Sequence, residues 1–66
     1  MLSNKLEFYR KQTGMTLLKL SEKTGLSAGY LCHLEKGSRT NPSISAMEKI
    51  SVALDKTIAQ IFFNEN

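Results

Sequence analysis

Apolar residues fall at helical spacing along nearly the whole chain, and no alternating stretch is long enough to read as a strand. Leu2, Leu6 and Tyr9 stand at i, i+4 and i+7, one stripe of a first helix that Gly14 can end in a left-handed conformation. Thr16 can cap a second helix carrying Leu17, Leu20 and Thr24, and Gly25 stops it. Ser27 can cap a third, with Leu31 and Leu34 inward and Gly37 as terminator. The stretch from Gly37 to Pro42 is dense in turn formers and reads as a loop. Ser43 can cap a fourth helix with Met47, Ile50 and Leu54 on one face, and Thr57 a short last helix with Ile58, Ile61 and Phe62. The pattern predicts an all-α chain of five short helices. They must pack on one another, because isolated helices shorter than about 12–15 residues are marginal in water.

Length and composition narrow the classes. Sixty-six residues allow one domain, 1–66, and a small core, since a chain of this size buries only about 60% of its unfolded surface. Hydrophobic residues at 41% and charged residues at 23% fit a globular chain rather than a disordered one. The longest apolar runs, such as Ile61-Phe62-Phe63, fall far short of the roughly 20 residues of a membrane span. No secretory leader is legible, and one cysteine, Cys32, cannot make an internal disulfide, so the expected location is the reducing cytoplasm. Cys32 and His33 are the only soft ligands, which excludes a four-ligand zinc site, and no other metal or cofactor is suggested. An enzyme is excluded too: there are no paired carboxylates, no glycine-rich phosphate loop and little room for a pocket.

The charge is uneven. Residues 1–40 carry Lys5, Arg10, Lys11, Lys19, Lys23, Lys36 and Arg39 against Glu7, Glu22 and Glu35, a net +4, while residues 41–66 carry a net −1. A basic half on a small domain points to a polyanionic partner. The Gly25-Leu26-Ser27 link sharpens that reading. A glycine to reverse the chain, an apolar plug and a helix cap force two helices to cross steeply, the helix-turn-helix geometry over about 16–37. The same link also fits a helical hairpin that uses its glycine only for packing.

The run YRKQTGMTLLKLSEKTGLSAGYLCHLEKG, then TNPSISAMEKISVALD and the final apolar helix, resembles the Xre/Cro-type, lambda-repressor-like helix-turn-helix domain. The resemblance covers nearly the whole chain and is strongest to the DNA-binding domain of SinR-type repressors, through the YRK start and the TNPSI loop. It implies that the third helix enters the major groove of double-stranded DNA, presenting Ser27, Ala28, Gly29, Cys32 and His33 to base edges. Of these, His33 can meet guanine N7 or O6 and Ala28 a thymine methyl; Gly29 has no side chain to read with but lets the backbone approach closely. Relatives place glutamines, asparagines or arginines there, so part of the specificity is expected from DNA shape. Phosphate contacts fall on Thr16 and Leu17 at the start of the second helix, and on Tyr30, Lys36, Ser38, Arg39, Thr40 and Asn41. Leu17 offers only its backbone donor, and Tyr30 equally fits a core-edge aromatic with a wet hydroxyl. Arg10 and Glu35 match a pair that bridges the first and third helices in relatives.

The function expected from this resemblance is a transcriptional regulator, a repressor acting as a homodimer on a two-fold operator. Dimer contacts are expected on Ile58, Ile61, Phe62 and Phe63. The competing reading is an antitoxin-like module that uses the same fold to hold a protein partner, supported by the apolar residues Leu18, Phe8 and Phe63 outside the core register.

Overall fold

The computed structural model describes residues 4–37 and 42–63. Among them every regular element is helical: α1 (Leu6–Gln12), α2 (Leu17–Thr24), α3 (Ala28–Lys36), α4 (Ile44–Leu54) and α5 (Ala59–Phe63). The all-α, five-helix expectation holds. None of these helices is long and apolar enough to cross a membrane.

Side-chain oxygens start the helices. Thr16, Ser27 and Ser43 hold extended backbone and accept from the N–H three residues on, in Lys19, Tyr30 and Ala46. Each such cap contributes about 1 kcal/mol. The first helix starts differently. Lys5 precedes it without a side-chain cap, and Asn4 Oδ1 accepts from Leu6 N–H at 2.9 Å instead. Leu2, expected on the first stripe, lies outside the described residues.

Left-handed residues end the helices. Past α1, Gly14 (φ 77°) donates to the Lys11 carbonyl and Met15 to that of Arg10, the paired bonds of a Schellman terminus. Gly25 (φ 78°) ends α2 and Gly37 (φ 82°) ends α3. Asp55 does the same for α4 at φ 57°, a conformation costly for a residue with a Cβ. The Ser51 hydroxyl helps to hold it by donating to the Lys56 carbonyl.

Every helix contributes to one core of Leu6, Leu20, Leu31, Leu34, Ile50, Leu54 and Ile61. α2 packs on α3 and α4, while α1 packs on α3 and α5. Two details differ from the sequence pattern. On α4 the buried stripe runs through Ala46, Ile50 and Leu54, and Met47 sits half-buried at its edge. The last helix is a single π-wound turn rather than an α-helix. Thr57 and Gln60 close its start reciprocally: Thr57 N–H donates to Gln60 Oε1, and Gln60 N–H to Thr57 Oγ1. Five residues hold too few internal bonds to impose their own winding, and the Ile61 carbonyl is taken by the Lys5 N–H at 2.8 Å.

Arg10 brings a charged group into this interior. Its Nε donates to Glu35 Oε2 at 2.5 Å and its Nη2 to Oε1 at 3.2 Å, while Nη1 reaches the Met15 carbonyl at 2.7 Å. The side chains of Arg10 and Glu35 are only 10% and 6% exposed. The hydrogen bonds that Arg10 donates to the Glu35 carboxylate raise the guanidinium above its already high pKa, so Arg10 stays charged. Arg10→Ala would leave the Glu35 carboxyl buried without its partner. It is expected to cost about 3–5 kcal/mol in chemical denaturation, most of the stability of a domain this small.

Candidate nucleic-acid interface

The turn between α2 and α3 is held by hydroxyls. Ser21 Oγ donates to the Leu26 carbonyl at 2.6 Å. The buried Thr24 hydroxyl donates to the Leu20 carbonyl at 2.8 Å and accepts from Leu26 N–H at 3.2 Å. Leu26 is half-buried against the core between these ties. In the sequence Ser21 is a small residue where the second helix must approach the third closely, and Thr24 is a stripe position. Ser21 reaches the carbonyl five residues on, while Thr24 donates back to the carbonyl four residues earlier and accepts from the N–H two residues on.

This turn joins two helices that pack on each other, α2 and α3. On α3, Ser27, Gly29, His33 and Lys36 are exposed, while Ala28, Tyr30 and Cys32 are half-buried. Tyr30 packs against the core, which leaves its hydroxyl end as the polar part. Leu31 and Leu34 are fully buried on the opposite face, and this fixes the rotation of the helix. The base-edge candidates and Lys36 therefore share the side of α3 that the core does not cover.

The two caps leave donors at both helix starts. Thr16 and Ser27 satisfy the N–H groups of Lys19 and Tyr30. The N–H groups of Leu17 and Leu18 on α2, and of Ala28 and Gly29 on α3, precede the first intrahelical bonds. They point out of the positive ends of two helix dipoles, an arrangement that favours phosphate oxygens. The Leu17 side chain packs on the core, so only its backbone faces outward. Lys19 and Lys23 are exposed. Lys11 is held by Glu7 at 2.9 Å in an exposed i, i+4 pair, and its hydrogen bond lowers the Glu7 pKa. Ser38, Arg39, Thr40 and Asn41, the expected loop contacts, lie outside the described residues.

The expected dimer residues divide. Phe63 is 62% exposed, and Ile58 and Phe62 are half-buried. Ile61 is fully buried in the core, so it is no contact for a second copy. Its place in the pattern allowed both roles, and the Lys5 bond that pulls α5 onto α1 decides for the core. Phe8 is 56% exposed and meets Tyr9 edge-on at 5.1 Å. Among the described residues no group of His, Cys, Asp or Glu is placed to hold a metal ion.

Comparisons with known proteins agree with this fold. The family described as helix-turn-helix matches residues 6–61. The HTH-type transcriptional regulator SinR of Bacillus subtilis is 40% identical over 58 residues, covering 88% of this chain and 52% of that protein. The immunity repressor protein of Bacillus phage phi105 is 33% identical over 64 residues, or 97% of this chain and 44% of that protein. A crystal structure of SinR in complex with DNA superposes with a TM-score of 0.81 at 39% identity, covering 85% of this chain and 92% of that one. The chain spans about half the length of the curated relatives it matches.

Gly29 offers a test of close backbone approach. It sits in the first turn of α3, and a Cβ added there would meet nothing within 4 Å. Gly29→Ala is expected to raise stability by about 0.5 kcal/mol in thermal melts through helix propensity. It should at the same time weaken duplex binding, because the methyl stands where the backbone would meet the groove.

Proposed function

Because the chain belongs to the helix-turn-helix family, we propose that it is a sequence-specific DNA-binding transcriptional regulator, acting as a repressor in the cytoplasm. α3 enters the major groove, and the starts of α2 and α3 grip phosphates on either side of it. The observation that carries this reading is the capped, exposed pair of helix starts beside a core-locked α3, in a chain 39% identical to a regulator solved on DNA. The immunity repressor among its relatives supports the sign of regulation. One module reads few bases, so two copies on a two-fold operator supply the affinity, with half-site centres about 34–36 Å apart. Phe63 belongs to the surface that joins them.

Selection of bound sites from a random duplex library, followed by salt titration, tests the whole reading. It should return a two-fold symmetric motif, with affinity falling linearly in log–log form as salt rises. A protein-interaction module gives no enriched motif and no steep salt dependence. That second reading has its own support in the exposed side chains of Phe8, Leu18, Val52 and Phe63, apolar surface that a partner protein would cover.

Two substitutions divide the labour within the site. His33 is the exposed residue of α3 with the strongest base-edge hydrogen-bonding group, and His33→Ala is expected to relax preference at one position per half-site by about 1–3 kcal/mol. Equal losses on selected and random duplexes would make it a phosphate contact. Phe63→Asp is expected to reduce cooperative operator binding in gel-shift titrations and leave single half-site affinity and the melting temperature nearly unchanged. Non-cooperative saturation of an operator by one wild-type chain would reject the dimer.

A further inference from the structure

Asn4 stands just ahead of α1, and both ends of its amide are engaged. Oδ1 accepts from Leu6 N–H at 2.9 Å, while Nδ2 donates to the Leu34 carbonyl at 3.1 Å, thirty residues away on α3. That carbonyl lies in the last turn of α3, where the helix cannot supply its own donors. It also accepts from the Gly37 N–H at 3.2 Å, so it keeps a partner when Asn4 is changed. The strut is itself anchored, because the next residue, Lys5, donates its N–H to the Ile61 carbonyl of α5 at 2.8 Å.

The two ends of the amide have different uses. Starting α1 needs only an acceptor, and a carboxylate at that end of a helix dipole serves as well as an amide. The amide nitrogen has no part in α1. It holds the far end of α3, one residue beyond His33. The near end of α3 is fixed by the Ser21 and Thr24 ties, and its flank by the Arg10–Glu35 pair. With the near end and flank held, the C-terminal tie fixes the remaining freedom, the tilt of the helix axis. Hydrogen bonds to base edges tolerate only a few tenths of an ångström, so tilt controls discrimination more than it controls phosphate attraction.

We propose that Asn4 is a positioning residue for sequence discrimination, acting through the Leu34 carbonyl to set the pose of α3; this rests on the DNA-binding reading above. Asn4→Asp keeps the acceptor for Leu6 and removes the donor to Leu34. Asn4→Ala removes both. Each is compared with wild type by thermal melting, by the amide chemical shifts of residues 31–37, and by binding to two duplexes. The duplexes are the best site selected from a random library and a scrambled duplex of the same length.

Asn4→Asp is expected to melt within about 4 °C of wild type, with the shifts of Leu34 to Gly37 displaced. Its affinity should fall about fivefold on the selected duplex, the size of one net hydrogen bond, and stay unchanged on the scrambled one. Asn4→Ala should show the same loss of discrimination with a lower melting temperature. Wild-type discrimination by Asn4→Asp, or equal losses on both duplexes, would overturn the proposal and leave Asn4 as a helix cap only. Failure of wild type itself to bind any duplex would overturn the DNA-binding reading and the proposal with it.

Discussion

A guanidinium carries five N–H donors and a charge that cannot be neutralised at any ordinary pH, so burying one dictates what must surround it. Arg10 is buried, and its surroundings come from three places: the carboxylate of Glu35 on α3, the Met15 carbonyl just before α2, and its own helix. The planar fork of Nε and Nη2 meets both oxygens of one carboxylate, a match that a lysine ammonium cannot make. The start of α2 and the flank of α3 therefore cannot move apart without stranding a charge. An apolar substitute for the pair could be as stable. It would not fix the two helices in this angular relation, because a hydrophobic contact has no direction.

Around that pair the chain uses local hydrogen bonds to compensate for a small core. Each cap, left-handed terminus and hydroxyl tie removes an unsatisfied backbone group without spending residues on it. The closures after α2 and after α4 use the same device. In each, a serine in the last turn donates to the carbonyl five residues on, Ser21 to Leu26 and Ser51 to Lys56, across a residue with positive φ. Among the described residues no buried side-chain nitrogen or oxygen lacks a partner. Backbone donors remain at the capped starts of α2 and α3, where Thr16 and Ser27 each satisfy one N–H.

Helix existence and caps were legible in the sequence because they are local. A serine or threonine before an apolar period, and a glycine after it, are signals that depend on no distant residue. The core face of α3 was legible for the same reason: Leu31 and Leu34 stand three apart between a cap and a terminator. What could not be read depends on tertiary contact. The winding of α5 depends on a bond from Lys5, more than fifty residues earlier. The choice of Ala46 over Met47 as a buried residue depends on how closely α4 approaches its neighbours. Asn4 carries no local signal in the sequence, because half of its bonding goes to α3. For the candidate site, Ser27, Gly29 and His33 are exposed as expected, Ala28 and Cys32 are half-buried, and the hydroxyl ties that orient α3 had no sequence signal.

The composition of the outward face then takes on a physical sense under the proposed function. Ser27, Ala28 and Gly29 are the smallest residue types available, and they occupy the end of α3 that would enter a groove first. Small side chains there lose hydrogen-bonding reach and gain proximity: the helix start, with its free N–H groups, can lie against the duplex. Long side chains compensate for misplacement by flexing; a short, backbone-led face cannot. Its fit depends on the pose of the whole helix and on the width and path of the groove it meets. A chain that reads DNA in this way must hold its recognition helix rigidly at both ends and along its flank. That is where the turn hydroxyls, the Arg10–Glu35 pair and the Asn4 amide are placed.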